Sequence, residues 1–145
     1  MAPTAPIIQL ETTGCAIASV ANIAGKSYAD VRNVAAGLGI YASDPKLWSQ
    51  TSYIRQLLSH YGVRSSATEH PFVSWDALPD RALLAIKWHL EHGKPFWHWV
   101  VFVRTAQGAY VLDSKRGLRH NRRTDFGRIR PKWFIAVTDA IKSQH

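Results

Sequence analysis

The 145-residue sequence contains a single cysteine, Cys15, and a single methionine. One cysteine excludes an internal disulfide and any zinc site built from several thiolates. That residue is then either a filler or a nucleophile. No apolar run approaches the ~20 residues that a membrane-spanning helix needs, so an integral membrane protein is not expected. The opening residues, Met1-Ala2-Pro3-Thr4-Ala5-Pro6, show no basic patch followed by an apolar stretch. No secretory signal is therefore expected, and the expected location is the cytoplasm; delivery into another cell as an effector is the alternative. The chain also lacks a Walker-type glycine-lysine loop, an internal repeat and a low-complexity linker. Hydrophobic residues make up 46% of the chain, too many for a disordered tail, and the length suits one domain over residues 1–145.

Acidic residues are scarce: 10 Asp and Glu stand against 18 Lys and Arg, a net charge of +8. The excess is local. Between Lys115 and Lys132 eight basic residues face one acid, Asp125, so this segment holds seven of the eight net charges. One basic surface is expected rather than a generally cationic protein.

Hydrophobic periodicity places helices first and strands second. Ile17, Val20, Ala21 and Ala24 give residues 14–24 an apolar helical face, with Thr12 or Thr13 as cap and Gly25 as stop. Ser27 opens a second helix, with Asp30 as its capping-box acid. A third helix is expected over residues 51–61, ahead of Gly62. After Gly62 the period changes. Residues 63–67 read as a short strand and 74–78 as a single helical turn before Pro79. Leu84, Ile86, Trp88 and Leu90 alternate along one strand; residues 97–104, 110–113 and 133–137 supply the others. The order implies an α+β fold, N-terminal helices packed on a C-terminal antiparallel sheet.

Cys15 falls in the first turn of the first helix, where free backbone N–H groups and the helix dipole stabilise a thiolate. Gln9, six positions upstream, is either a solvated polar residue ahead of the helix or placed to aim its amide at an oxyanion formed when Cys15 attacks a carbonyl. His98 lies in the strand Trp97-His98-Trp99-Val100-Val101, and Asp113 ends the next strand. In an unbulged hairpin with a two- or four-residue loop, even-numbered residues pair with odd-numbered ones, so His98 and Asp113 project from the same face. A three-residue loop would break that arithmetic. With it intact, the carboxylate can orient the imidazole. Trp97 and Trp99 then point the other way, to pack under the helices or against a neighbouring layer.

The order Gln9, Cys15, His98, Asp113 resembles that of the papain-like cysteine peptidases, in particular the bacterial branch that removes double-glycine leaders from bacteriocin precursors. The matching pieces are Gln9-Leu10-Glu11-Thr12-Thr13-Gly14-Cys15, Ala16-Ile17-Ala18-Ser19-Val20-Ala21, the His98-Trp99-Val100-Val101 strand and the Val111-Leu112-Asp113 strand end. The resemblance covers most of the chain. It implies the papain-like fold, with Cys15 as nucleophile, His98 as general base then acid, Asp113 as its orienter and Gln9 as oxyanion donor. Two features depart from the family: Ala16 stands where a glycine usually follows the nucleophile, and no transporter segment is fused within these residues.

The resemblance implies hydrolysis of a peptide bond, with no metal or organic cofactor. The same constellation would also serve an amidase, a deamidase or an acyltransferase. A different class of reading is a non-catalytic binding module that uses the basic surface. His89-Leu90-Glu91-His92 runs out of a strand into a glycine with no further ligand cluster, which speaks against a metal. Trp48 or Trp75, both in loops, could line a substrate groove. The basic stretch is either a solvated face or, through Arg116 and Arg119, a border of the cleft that selects an acidic peptide or protein substrate. Nucleic acid is the weaker partner, because no stacking motif or recognition-helix pattern accompanies the charges.

Overall fold

A computed structural model describes residues 6–139. Most of the opening stretch read above for a secretory signal, residues 1–5, lies outside the described residues. Three helices come first: α1 (Cys15–Ala24), α2 (Tyr28–Gly37) and α3 (Ser52–His60). Seven strands follow: β1 (Val63–Ser65), β2 (His70–Pro71), β3 (Arg81–Glu91), β4 (Lys94–Thr105), β5 (Gly108–Leu112), β6 (Arg122–Arg123) and β7 (Trp133–Asp139). They form one antiparallel sheet in the order β1-β7-β3-β4-β5-β6, with β2 also paired to β7. The mixed helix and antiparallel-sheet architecture is the one expected from the periodicity. No described helix is long and apolar enough to cross a membrane.

Both faces of the central strands are buried. Leu83, Ala85, Trp99, Val101, Leu112 and Ile135 pack under the helices, against Ile17, Val20, Ile54 and Leu57. Ala82, Leu84, Ile86, Val100, Phe102 and Val111 form a second cluster on the other face, covered by Phe72, Trp75, Phe126 and Ile129. Burial on both faces explains why the centres of β3 and β4 read as nearly continuous apolar runs.

Helix α1 is buried along almost its whole surface, not on one face alone. Its small residues Ala16, Ala18 and Ala21 are fully or almost fully enclosed, so it sits as a central rod between the sheet and the other helices. Gly25 closes it at φ +70°, the left-handed conformation that glycine adopts without a Cβ clash. Ser27 caps α2 by accepting the Asp30 N–H at 3.1 Å.

Three local expectations are corrected. Neither Thr12 nor Thr13 caps α1; the cap residue is Gly14, and no side chain bonds the helix start. The Thr13 hydroxyl instead donates to the carbonyl of Ala42. Residues 74–78 form a hydrogen-bonded turn and no helix, closed by Ala77 N–H to Ser74 Oγ and Leu78 N–H to the Trp75 carbonyl. Finally, Trp88 does not continue the Leu84–Ile86 face. A β-bulge between Ile86 and His89 shifts the β3–β4 register, and Trp88 packs against the helix-side core. Leu90 is left exposed.

Candidate active site

The site assembles where β5 stops. Pairing of β4 with β5 ends at Val101–Leu112, so the flank of β4 beyond it has no strand neighbour. The N-terminus of α1 fills that gap, and the Trp99 backbone N–H donates to Cys15 Sγ at 3.4 Å. Cys15 is the first residue of α1 and is fully buried. Because no side chain caps this helix, the N–H groups of its first turn, that of Cys15 among them, lack both an intrahelical and a side-chain acceptor. Donors that a capping threonine would have taken are thus left beside the sulfur.

The loop ahead of Cys15 is held from three directions. Gly14 packs so closely under Tyr28 that a Cβ there would overlap its hydroxyl. Glu11 accepts from the Tyr28 hydroxyl and from Arg32 Nη1 (3.1 Å), tying the loop to α2. Burial and the Glu11 hydrogen bond push the Tyr28 phenol up to about 12, so it remains a donor. Gln9 joins the loop to the far end of β5: its backbone N–H donates to the Ser114 carbonyl (3.0 Å), and its Oε1 accepts from the Ser114 hydroxyl (2.7 Å).

His98 and Asp113 meet as the pairing parity requires. The β4–β5 turn is the tight one, closing at Thr105–Gly108, and paired positions have odd sums throughout. His98 Nε2 lies 2.6 Å from Asp113 Oδ1, with the carboxylate fully buried and the imidazole largely so. The Cys15 side chain lies near enough to His98 to raise its pKa. Burial alone would push the imidazole's pKa down. The hydrogen bond and charge of Asp113, with the neighbouring Cys15 side chain, outweigh it and hold His98 up at about 9. For Asp113, burial would raise the pKa; His98, the Lys115 N–H (3.1 Å) and Arg123 overcome it and bring the carboxyl down to about 2.

Arg123 has no counterpart in the sequence reading beyond its place in the basic run. Its Nη1 donates to Asp113 Oδ2 at 3.0 Å, on the carboxylate oxygen that His98 leaves free, while its other nitrogens clasp Asp125. Asn121 completes the support, donating to the Asp113 and Lys115 carbonyls and accepting the Asp113 N–H.

A cavity of about 350 Å³ opens beside His98, and Gln9, Trp48, Trp97 and Arg116 belong to its wall. Of the other residues read as substrate contacts, Trp75 lies elsewhere. It is clasped by Phe72, Phe102 and Phe126 in the second core cluster. Arg119 is exposed and takes no part in the wall. The Gln9 amide, itself buried, donates to the carbonyls of Glu11 (3.1 Å) and Thr12 (2.9 Å). The wall also holds Lys87, His89 and Phe96, which the bulged β3–β4 hairpin carries there and which sequence reading missed. Among the described residues, no three His, Cys, Asp or Glu side chains gather as a metal site.

No protein-family model matches the sequence, and no curated protein matches it either. The fold, however, is shared with a solved structure. The chain is similar to a double glycine motif protease from an AMS/PCAT transporter, crystallised in complex with the leader peptide. The two share 17% sequence identity with a TM-score of 0.54, over 92% of this chain and 89% of that one.

Proposed function

We propose that this protein is a cysteine peptidase of the papain-like fold. The observation that carries the reading is His98 held between two partners: Cys15 at an uncapped helix start and the buried carboxylate of Asp113. A histidine whose pKa stands at about 9 beside a thiol is a strong enough base to take that thiol's proton.

Cys15 Sγ attacks the substrate carbonyl carbon, forming a C–S bond and moving the carbonyl π pair onto oxygen. The Cys15 N–H donates to that oxyanion. Gln9 adds a second donor by exchanging the longer of its two loop hydrogen bonds, the one to Glu11, for the oxyanion. Collapse breaks the C–N bond, and His98 gives its proton to the leaving amine. A water then attacks the thioester and hands a proton to His98, and the C–S bond breaks. Asp113 holds the imidazole in one orientation throughout, and Arg123 holds Asp113. The shared fold with a protease that binds a leader peptide supports an extended peptide as substrate.

A peptide-library digest read by mass spectrometry tests the proposal. Hydrolysis adds water across a peptide bond, deamidation exchanges an amide for a carboxylate, and acyl transfer joins an amine, so the mass change names the reaction. Cleavage that vanishes in Cys15→Ser and in His98→Ala is expected. Cleavage that survives Cys15→Ser overturns the reading.

A further inference from the structure

The proposed peptidase has a charge problem in the wall of its cavity. The β-bulge in β3 places Lys87 there at φ +55°, a left-handed conformation that a lysine adopts only at a cost. Lys115, two residues past Asp113, and Arg116 belong to the same wall. Lys87 and Lys115 line one cavity, and their like charges repel. Two ammonium groups are both donors, and neither has an acceptor to offer the other.

The nearby acids are already engaged. Asp113 is taken by His98 and Arg123, Glu91 by His89 (2.7 Å), and Glu11 by Tyr28 and Arg32. No carboxylate of the described residues forms an ion pair with Lys87 or Lys115. Burial, and after it Lys115, holds the Lys87 ammonium below the usual lysine range. Two indole N–H donors belonging to residues of the same wall, Trp48 Nε1 and Trp97 Nε1, are buried without an acceptor. Three exposed cations thus line this wall, and an anion placed between the lysines would gain charge-assisted partners there.

We propose that Lys87, Lys115 and Arg116 form a carboxylate-binding subsite beside His98, so that the peptide substrate presents a carboxylate in this cavity. This rests on the peptidase reading and narrows its substrate class. The carboxylate comes either from an Asp or Glu side chain near the scissile bond or from a chain terminus.

NMR titration of the ¹⁵N-labelled protein separates the two sources. N-acetylglutamic acid α-amide offers a side-chain carboxylate, N-acetylglycylglycine a terminal one, and N-acetylglutamine amide is the uncharged control. The expected result is saturable shifts at the Lys87, His98 and Lys115 amides with one of the two anions and not with the neutral amide. Lys87→Met/Lys115→Met should weaken that binding about threefold or more, the scale of exposed charge contacts. Lys26→Met, which removes one positive charge just past the end of α1, should leave it unaltered. Equal binding of the neutral amide, no saturable shift with either anion, or an equal loss in Lys26→Met overturns the subsite. So does a single-stranded oligonucleotide that shifts the same amides at lower concentration than either peptide. Cys15→Ser should bind the probe normally, so failure of the nucleophile reading and failure of the subsite give different results.

Discussion

Gln9 and Ser114 are joined twice, backbone to backbone at 3.0 Å and side chain to side chain at 2.7 Å, across 105 residues of sequence. This double bond locks the loop that presents Cys15 to the strand end that presents Asp113, so the two halves of the site share one frame. The prediction is a graded pair of variants. Ser114→Ala leaves the buried Gln9 Oε1 without its donor and should cost about 1–3 kcal/mol of stability in denaturant unfolding. Gln9→Glu keeps the Ser114 acceptor but removes the amide donors, and should lower kcat by about 10²-fold with little change in KM. Unaltered kcat in Gln9→Glu would return Gln9 to a purely structural role.

The His98 pKa predicts a sign for pH dependence. Its folded value, about 9, lies above the ordinary 6.5, so its contribution to stability is complete below pH 6.5 and is lost as pH rises through 9. Asp113 runs the other way. At about 2, against an ordinary 3.8, it stabilises above pH 3.8 and loses that contribution as pH falls through 2. These two groups together therefore favour the fold most between pH 3.8 and 6.5. Imidazole resonances followed by NMR should show His98 titrating near pH 9 and moving toward ordinary values in Asp113→Asn. A wild-type His98 titrating near 6.5 would contradict the ion-pair account.

Arg123 acts through Asp113 and not on substrate, so its removal has a specific fingerprint. Arg123→Met should raise the Asp113 pKa and, with one cation fewer beside the ion pair, raise that of His98 as well, moving the alkaline limb of the kcat profile to higher pH. KM should stay near its wild-type value. Arg123→Lys restores a cation without the two-pronged hold on Asp113 and Asp125, and should recover only part of the shift. A kcat loss with no displacement of the pH profile would reduce Arg123 to a merely structural residue.

What the sequence made legible was local or arithmetical. Cys15 at a helix start follows from the apolar period and Gly25, and the His98–Asp113 meeting follows from parity once the turn has two residues. The rest depended on contacts that leave no local trace. Thr13 is a plausible cap by type, but a carbonyl 29 residues away takes its hydroxyl. Lys87 and Trp88 look like an unbroken continuation of Leu84 and Ile86, because a one-residue bulge has no signature in ordinary side chains. Arg123 sits in a two-residue strand among many arginines, and only the pairing of β5 with β6 separates it from its neighbours. Trp75 reads as a loop tryptophan, yet the apolar undersides of β3 and β4 need a cover and it supplies one.

Lys87 offers a test of whether backbone strain is kept for the sake of a side chain. At φ +55° a lysine carries the left-handed penalty that glycine escapes, about 1 kcal/mol. Lys87→Gly should therefore raise the thermal midpoint by roughly 3 °C, the usual conversion for a domain of this size. Lys87→Met retains a Cβ and the strain with it, so any gain should be confined to relief from Lys115. Both variants should lose the same share of carboxylate binding, because both lose the ammonium. A more stable glycine variant with weakened binding would mean that the bulge holds an unfavourable conformation in order to aim a charge at the cavity. A glycine variant no more stable than wild type would mean that the bulge is relaxed and the position of Lys87 incidental.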